Sequence, residues 1–328
     1  MPVTSHLAPR PARWILAYAG AGRGHGFAVY TVDDFARLIT GVDSSGRPQF
    51  WLSSGVIVLQ LYAPSGRVFE PALGGEPAHG TDWTAYLDSL FADGGILRRL
   101  DSAVALATAA LGPPHAPFQV SVMIPYLEAR DTRFDFLGHS YEVGTAAGRQ
   151  SATLAYVSEV ERRFHVAAFP HLVLDGFYWL HELVPAADGA VVSAVARAVH
   201  ERHLRLLWIP YYEAENWDRW RALGFDDAWL QPNYFFDRTI PATRLDSAVA
   251  RAERVQMGIE VEFDWRLLDD PRFADRLGPY LAALALHPEL RARSLAVYDG
   301  AGVLAKLSRA HAPPALERYR ELCATLRR

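Results

Sequence analysis

The chain is short of several things, and each shortage removes a class of chemistry. Among 328 residues Cys323 is the single cysteine, so neither an intrachain disulfide nor a multi-cysteine metal site can form. It falls in a C-terminal helical pattern, where a thiol serves as a small apolar group. Basic charge is not in excess: the net charge is -4, without the surplus that neutralises phosphates, so no nucleic-acid partner is expected. No stretch approaches about 20 uninterrupted apolar residues, so no membrane partner is expected either. The opening "MPVTSHLAPRPAR" lacks the apolar centre of a secretory signal, and the chain as given reads as cytoplasmic. A G-x-S-x-G elbow is missing, which leaves a serine hydrolase without support. His200, Glu201 and His203 share one helical pattern but no second pair completes a ligand set, so no metal is expected.

A glycine-rich stretch, "YAGAGRGHG" (18–26), follows the first apolar run and invites comparison with a dinucleotide loop. Such a loop must open directly into a helix, and an acidic residue must end the second strand. Here the glycines run into "FAVYTV", and the second run ends in Gln60, Leu61 and Tyr62. Both conditions fail, and no cofactor is expected.

What the chain does have is alternation. Eight apolar, β-branched or aromatic runs occur in order: "WILAY" (14–18), "GVIVLQLY" (55–62), "FQVSVMIPY" (118–126), "LVLDGFYW" (172–179), "RLLWIPYY" (205–212), "DAWLQPNYFF" (227–236), "MGIEVEFD" (257–264) and "SLAVYDG" (294–300). Helical patterns separate them, among them "DDFARLI" after an Asp33 cap, "ILRRLDSAVALATAAL", "SATLAYVSEVERRF", "WDRWRAL" and "DPRFADRLGPYLAALAL". Continuous apolar strands, each followed by a helix, pair in parallel and are buried on both faces. Eight such units predict an α/β fold, a single (β/α)8 TIM barrel with extended loops after the early strands. One domain would span residues 1–328, with a short flexible N-terminal segment 1–12 and surplus loops at 41–54, 63–80 and 127–147.

In such a barrel the C-terminal strand ends face the mouth where chemistry is kept. "DGFYWLHE" (175–182) closes strand four on Glu182, at the rim. Strand seven places Glu260, Glu262 and Asp264 at alternate positions, hence on one face. Charges in an apolar core need a partner or a proton, so these side chains are expected to point into a polar cavity. Carboxylates from strands four and seven that face each other suit glycoside cleavage, in which one protonates the departing oxygen and the other attacks the anomeric carbon or activates water.

This arrangement resembles the large clan A of barrel glycosidases, whose acid/base follows strand four and whose nucleophile ends strand seven. The resemblance implies Glu182 as acid/base and Glu260 or Glu262 as nucleophile, with Glu262 nearer the rim. "DGFYWLHE" also resembles the strand-four signature of chitinase-like family 18 glycosidases in Asp175, Gly176 and Glu182, but Tyr178 and Leu180 replace the inner aspartates, which argues against that family's substrate-assisted route. "DGFYWLHE", "WIPYY" followed by "GFDDAWLQPNYFF", and "MGIEVEFD", with "YAG" as a weaker element, resemble domain-of-unknown-function family 4855 (DUF4855), a bacterial group regarded as barrel-like and glycosidase-like. That resemblance covers about residues 14 to 300 and implies the fold more firmly than the reaction.

The other strand ends suit a sugar. Tyr18, Gln60, Tyr62, Tyr126, Tyr178, Tyr211, Tyr212, Gln231, Asn233, Tyr234, Asp264 and Tyr298 fall at or near the mouth, where aromatic faces stack on pyranose C–H surfaces and amides or phenols bond hydroxyls. Trp179, Trp208, Trp217 and Trp229 suit either a subsite wall or strand-to-helix packing. The expectation is a retaining glycoside hydrolase acting on an oligo- or polysaccharide, with a carbohydrate substrate as partner. The alternative is a non-catalytic carbohydrate-binding barrel using the same mouth.

Overall fold

Unbroken runs of Val, Ile and Leu form strands that must be covered on both sides. In the computed structural model, which describes residues 13–20, 29–130, 133–300 and 302–327, eight such runs close into a parallel ring. They are β1 (Arg13–Tyr18), β2 (Gly55–Leu59), β3 (Phe118–Ile124), β4 (Leu172–Trp179), β5 (Arg205–Trp208), β6 (Asp227–Leu230), β7 (Gly258–Glu262) and β8 (Leu295–Tyr298). Each pairs with its neighbours in sequence, and β8 returns to β1: Leu295 lies opposite both Ile259 and Arg13. The TIM-barrel expectation is met. Residues 1–12 and most of the glycine-rich stretch lie outside the described residues.

Helices cover the outside: α1 (Val32–Ile39), α2 (Gly80–Phe91), α3 (Ile96–Leu111), α4 (Ala146–Ala167), α5 (Gly189–Glu201), α6 (Trp220–Leu223), α7 (Thr243–Arg254), α8 (Arg266–Asp269), α9 (Pro271–Leu286), α10 (Pro288–Ala292), α11 (Val303–Ser308) and α12 (Pro313–Leu326). None of the described helices is long and apolar enough to cross a membrane. The first helix starts earlier than its sequence suggests, because Thr31 rather than Asp33 is the cap, in a reciprocal box with Asp34. "WDRWRAL" forms only a 3-10 turn, Trp217–Arg219, and the four-residue α6. Two surplus loops contain antiparallel hairpins, Thr40–Val42 with Pro48–Trp51 and Arg133–Phe136 with His139–Glu142.

Several strands stop short of their apolar runs, and proline explains three of them. Pro125, Pro210 and Pro232 follow β3, β5 and β6 within two residues, and a residue without an N–H cannot extend a ladder. Tyr126, Tyr211, Tyr212, Asn233 and Tyr234 therefore lie in rim loops rather than strands.

Which strand face lines the barrel follows from one contact. Trp14 and Trp229 stand on β1 and β6, which are not neighbours, yet their rings meet edge to face at 6.4 Å. They reach across the interior. Residues in lateral register share a face, and register links Trp14 to Ala296 to Glu260, and Leu16 to Tyr298 to Glu262. Glu260 and Glu262 thus face inward, whereas Ile15, Val56, Val122, Val261 and Val297 pack outward, wholly buried beneath the helix layer. A bulge in the β3–β4 pairing inserts Asp175 as an unmatched residue between Leu174 and Gly176. Asp175 makes a buried ion pair with Arg205 at 2.6 Å, and Arg205 also donates to Gln119.

Candidate active site

Three residues past β4, Glu182 leans along the rim toward β6, where its Oε1 accepts a hydrogen bond from Gln231 Nε2 at 2.9 Å. Gln231 Oε1 in turn accepts from Asn233 Nδ2 at 2.9 Å, and Asn233 Oδ1 accepts from the Tyr212 backbone N–H at 2.8 Å. Asn233 has φ +51, a left-handed conformation that asparagine tolerates better than most residues. The turn aims two successive N–H groups at Glu262: Asn233 donates to Oε1 and Tyr234 to Oε2, each at 3.2 Å. The Tyr280 hydroxyl of α9 donates to the same Oε2. One polar chain therefore runs from the strand-four glutamate to the strand-seven glutamate.

The electrostatics follow from burial. Glu182 is half-buried, and its carboxyl is pushed up to about 6, chiefly by desolvation; the Gln231 hydrogen bond opposes the rise, Glu70 adds to it and His181 lowers it. Glu260 and Glu262 are almost wholly buried. Burial raises both, and the charge of Glu182 adds to each rise, which brings the three into one electrostatic group. Glu260 goes higher, because Glu262 repels its charged form and its Oε1 has no hydrogen-bond partner. For Glu262, the bonds from Tyr280, Tyr234 and Asn233 favour the carboxylate. Of the two, Glu260 therefore holds its proton more firmly, and Glu262, pushed up to about 7, is the first to ionise.

The remaining candidates divide. Tyr18, Tyr178 and Tyr298 surround the carboxylates: each hydroxyl is held in its neutral form by burial and by the charges of Glu182, Glu260 or Glu262. Tyr298 is half-buried and meets Tyr18 and Phe236 edge-on, each at 5.4 Å. Tyr62 and Tyr211 are half-buried at the rim. Gln60 is buried and donates to the Tyr62 carbonyl. Tyr212 is buried, with the Arg244 and Arg251 guanidinium carbons 3.9 and 4.1 Å from its ring centre; two such groups cannot share a face, so no open face is left for a sugar. Tyr234 is covered by Arg276 at 3.7 Å, and it is its backbone that serves the site. Asp264 shares parity with the glutamates in sequence, but β7 has ended and its carboxylate is forked onto Arg266. Trp208 is stacked on Phe225, while Trp229 lies inside the barrel. His200 pairs with Asp226. A cavity of about 480 Å³ lies at the opposite end of the barrel, around Arg13, Trp51, His115 and Leu326, and holds none of these residues.

One group at the mouth has no counterpart in the sequence reading. Glu70, in the long loop after β2, brings both carboxylate oxygens to His181 Nδ1, at 2.8 and 3.0 Å. Tyr126 lies against the imidazole, centroids 3.9 Å apart and planes within 18°. Its hydroxyl donates to Asp188 at 2.5 Å, and Asp188 is paired with the buried Arg149. Nothing in a Gly- and Pro-rich loop marks one glutamate as buried, and no periodicity could have found it.

The profile of the family described as Domain of unknown function (DUF4855) matches residues 14–324. No curated protein matches the chain. Among solved structures, the E103A mutant of the tryptophan synthase alpha-subunit from Pyrococcus furiosus is similar at 12% identity and a TM-score of 0.42, over 96% of this chain and 97% of that one. A complex of the xylanase-alpha-amylase inhibitor protein XAIP-I with trehalose is similar at 11% identity and a TM-score of 0.45, over 90% of this chain and 94% of that one.

Proposed function

The chain belongs to the DUF4855 family, whose description names no activity, and from the carboxylates at its barrel mouth we propose that it is a retaining glycoside hydrolase acting on an oligo- or polysaccharide. The observation that carries this reading is the continuous chain Glu182–Gln231–Asn233–Glu262, which joins two glutamates from opposite sides of the mouth in unlike environments. Burial pushes Glu182 up to about 6 and Glu262 up to about 7, so around pH 6 to 7 the two share protons, and the reactive form is the one in which Glu182 holds the proton and Glu262 is the carboxylate favoured by its three donors. Glu182, uncharged below about pH 6, donates its proton to the glycosidic oxygen as the C–O bond breaks. Glu262, in its carboxylate form and aimed by two backbone N–H groups, attacks the anomeric carbon and forms the glycosyl-enzyme. Glu182, now a carboxylate, takes a proton from water as that water displaces Glu262. Tyr18, Tyr178 and Tyr298 supply aromatic wall and hydroxyls around the reacting sugar.

A second reading, a carbohydrate-binding barrel without turnover, is favoured by the complete burial of Glu262. A screen of labelled glycans for product release and for binding separates the two. Hydrolysis predicts that Glu182→Gln and Glu262→Gln each lose about two to four orders of magnitude in turnover while glycan binding persists. Unchanged turnover in both variants defeats the hydrolase assignment, and tight binding with no product release selects the second reading.

A further inference from the structure

At the tip of β4 the chain sends consecutive side chains in two directions. Glu182 leans over β5 toward Gln231 beyond β6, whereas His181 leans over β3 toward Glu70 beyond β2. His181 is buried and doubly fixed, by the Glu70 carboxylate at Nδ1 and by the Tyr126 ring against its face. The Trp208 indole N–H also holds its backbone carbonyl, at 2.9 Å. A carboxylate at Nδ1 accepts the N–H of that nitrogen, so the tautomer is set and the far nitrogen, Nε2, carries the ring's remaining capacity. Among the described residues Nε2 has no hydrogen-bond partner, and it is not fully covered. This is a pre-oriented polar atom on the residue that adjoins the candidate acid. Glu70 Oε1 also accepts from the Ala72 N–H at 3.0 Å and so caps the 3-10 turn Pro71–Leu73, which fixes the carboxylate that aims the ring.

We propose that His181 binds, through Nε2, a hydroxyl of the saccharide unit that departs with the proton of Glu182, and that Glu70 is the positioning residue that holds the imidazole for it. The inference rests on the hydrolytic reading for its geometry. The sugar under attack must lie between Glu182 and Glu262, so the unit on the far side of Glu182, toward β2 and β3, is the leaving one. That side is where His181, Glu70 and Tyr126 stand. The site therefore selects a sugar, rather than an apolar aglycone, as the leaving group.

The test compares cellotetraose, maltotetraose, xylotetraose and chitotetraose with the 4-nitrophenyl glycosides of the matching disaccharides, whose leaving group has no sugar hydroxyl. His181→Gln is expected to lower kcat/KM about ten- to a hundredfold on the tetrasaccharide that the wild type cleaves, and less than threefold on its nitrophenyl counterpart. An equal fall on both overturns the proposal, because it makes His181 a mere support of Glu182. Nitrogen-15 NMR of the wild-type histidines, with His181→Gln as the assignment reference, provides a second arm that needs no turnover. The Nδ1–H tautomer of His181 is expected, and it becomes mixed in Glu70→Gln. If no glycan is hydrolysed but a tetrasaccharide shifts the Nε2 signal, the binding role stands and the hydrolytic reading falls. If no tetrasaccharide shifts that signal, the proposal fails whatever the activity.

Discussion

Two glutamates two residues apart on β7 share a face and a burial class, yet their partners separate them. Glu262 receives three donors, whereas Glu260, deeper in the barrel, has an oxygen with none. A buried carboxyl with no donor holds its proton more firmly than one whose charged form several donors favour. Glu260→Gln keeps the neutral form and leaves the charge beside Glu262 unchanged. Turnover should therefore stay within about tenfold of wild type, and the acid limb of kcat/KM against pH should stay in place, because no charge beside Glu262 is lost. Steady-state kinetics across pH 4 to 8 measures both; a loss as deep as that of Glu262→Gln transfers the nucleophile role to Glu260. The sequence made both residues visible through their alternation in an apolar run, but it could not rank them. The ranking depends on donors from Asn233, Tyr234 and Tyr280, which reach the site from the loop after β6 and from α9. For the same reason Tyr212 and Tyr234 read as sugar platforms in the sequence, while in the fold arginines of α7 and α9 cover their rings.

At the scale of an element, β4 shows how a local irregularity serves the site. Its pairing with β3 skips Asp175, which turns its carboxylate to Arg205 inside the barrel. Gly176 then passes so close to β5 that a Cβ would overlap the Arg205 carbonyl. No flexible side-chain end stands in the way there; the clash is with backbone, which cannot yield without shifting a strand. Gly176→Ala should cost about 1 to 3 kcal/mol as overpacking does, seen as a lower urea midpoint with the slope unchanged, and should displace Glu182 from Gln231. A midpoint equal to wild type would mean that β4 and β5 are free to separate, against the close register observed between Gly176 and Arg205. The strands themselves were legible because both faces are buried, so their letters are continuously apolar. Their ends were less so: Pro125, Pro210 and Pro232 were in plain sight, but the runs continue past them into aromatic rim residues that look like more strand. The bulge left no mark beyond the Asp-Gly pair, since register depends on the partner strand as much as on the strand itself.

Taken as a whole, the molecule keeps several carboxyls out of water without full compensation, and this makes its stability depend on pH in a definite direction. Glu182 is pushed up to about 6, Asp299 to about 8, and Glu260 and Glu262 are raised with them, each with burial as the leading cause. Carboxyls such as Glu159 and Asp270 are lowered to about 2 by arginine partners, so their contribution is complete by about pH 5 and is flat above it. Between about pH 5 and 8 the folded state therefore binds more protons at its carboxyls than the unfolded chain does. Their contribution to stability is full below the unfolded carboxylate range and is lost as pH rises through the folded values. Urea midpoints should fall from pH 5 to pH 8. Asp299 is the clearest single source: it is wholly buried just after β8, accepts from the Leu304 N–H at 2.7 Å through Oδ1, and has no partner at Oδ2. Asp299→Asn keeps an acceptor for Leu304 and cannot ionise, so it should flatten the upper part of this decline and recover a few kcal/mol at pH 8, with little gain at pH 5. Midpoints that rise with pH in the wild type, or an Asp299→Asn curve parallel to it, would show that these carboxyls find partners or water on the time scale of unfolding. The same burial bounds the proposed cleavage on both sides, since Glu182 must hold a proton and is pushed up to about 6 while Glu262 must lose one and is pushed up to about 7, so turnover should peak between about pH 6 and 7.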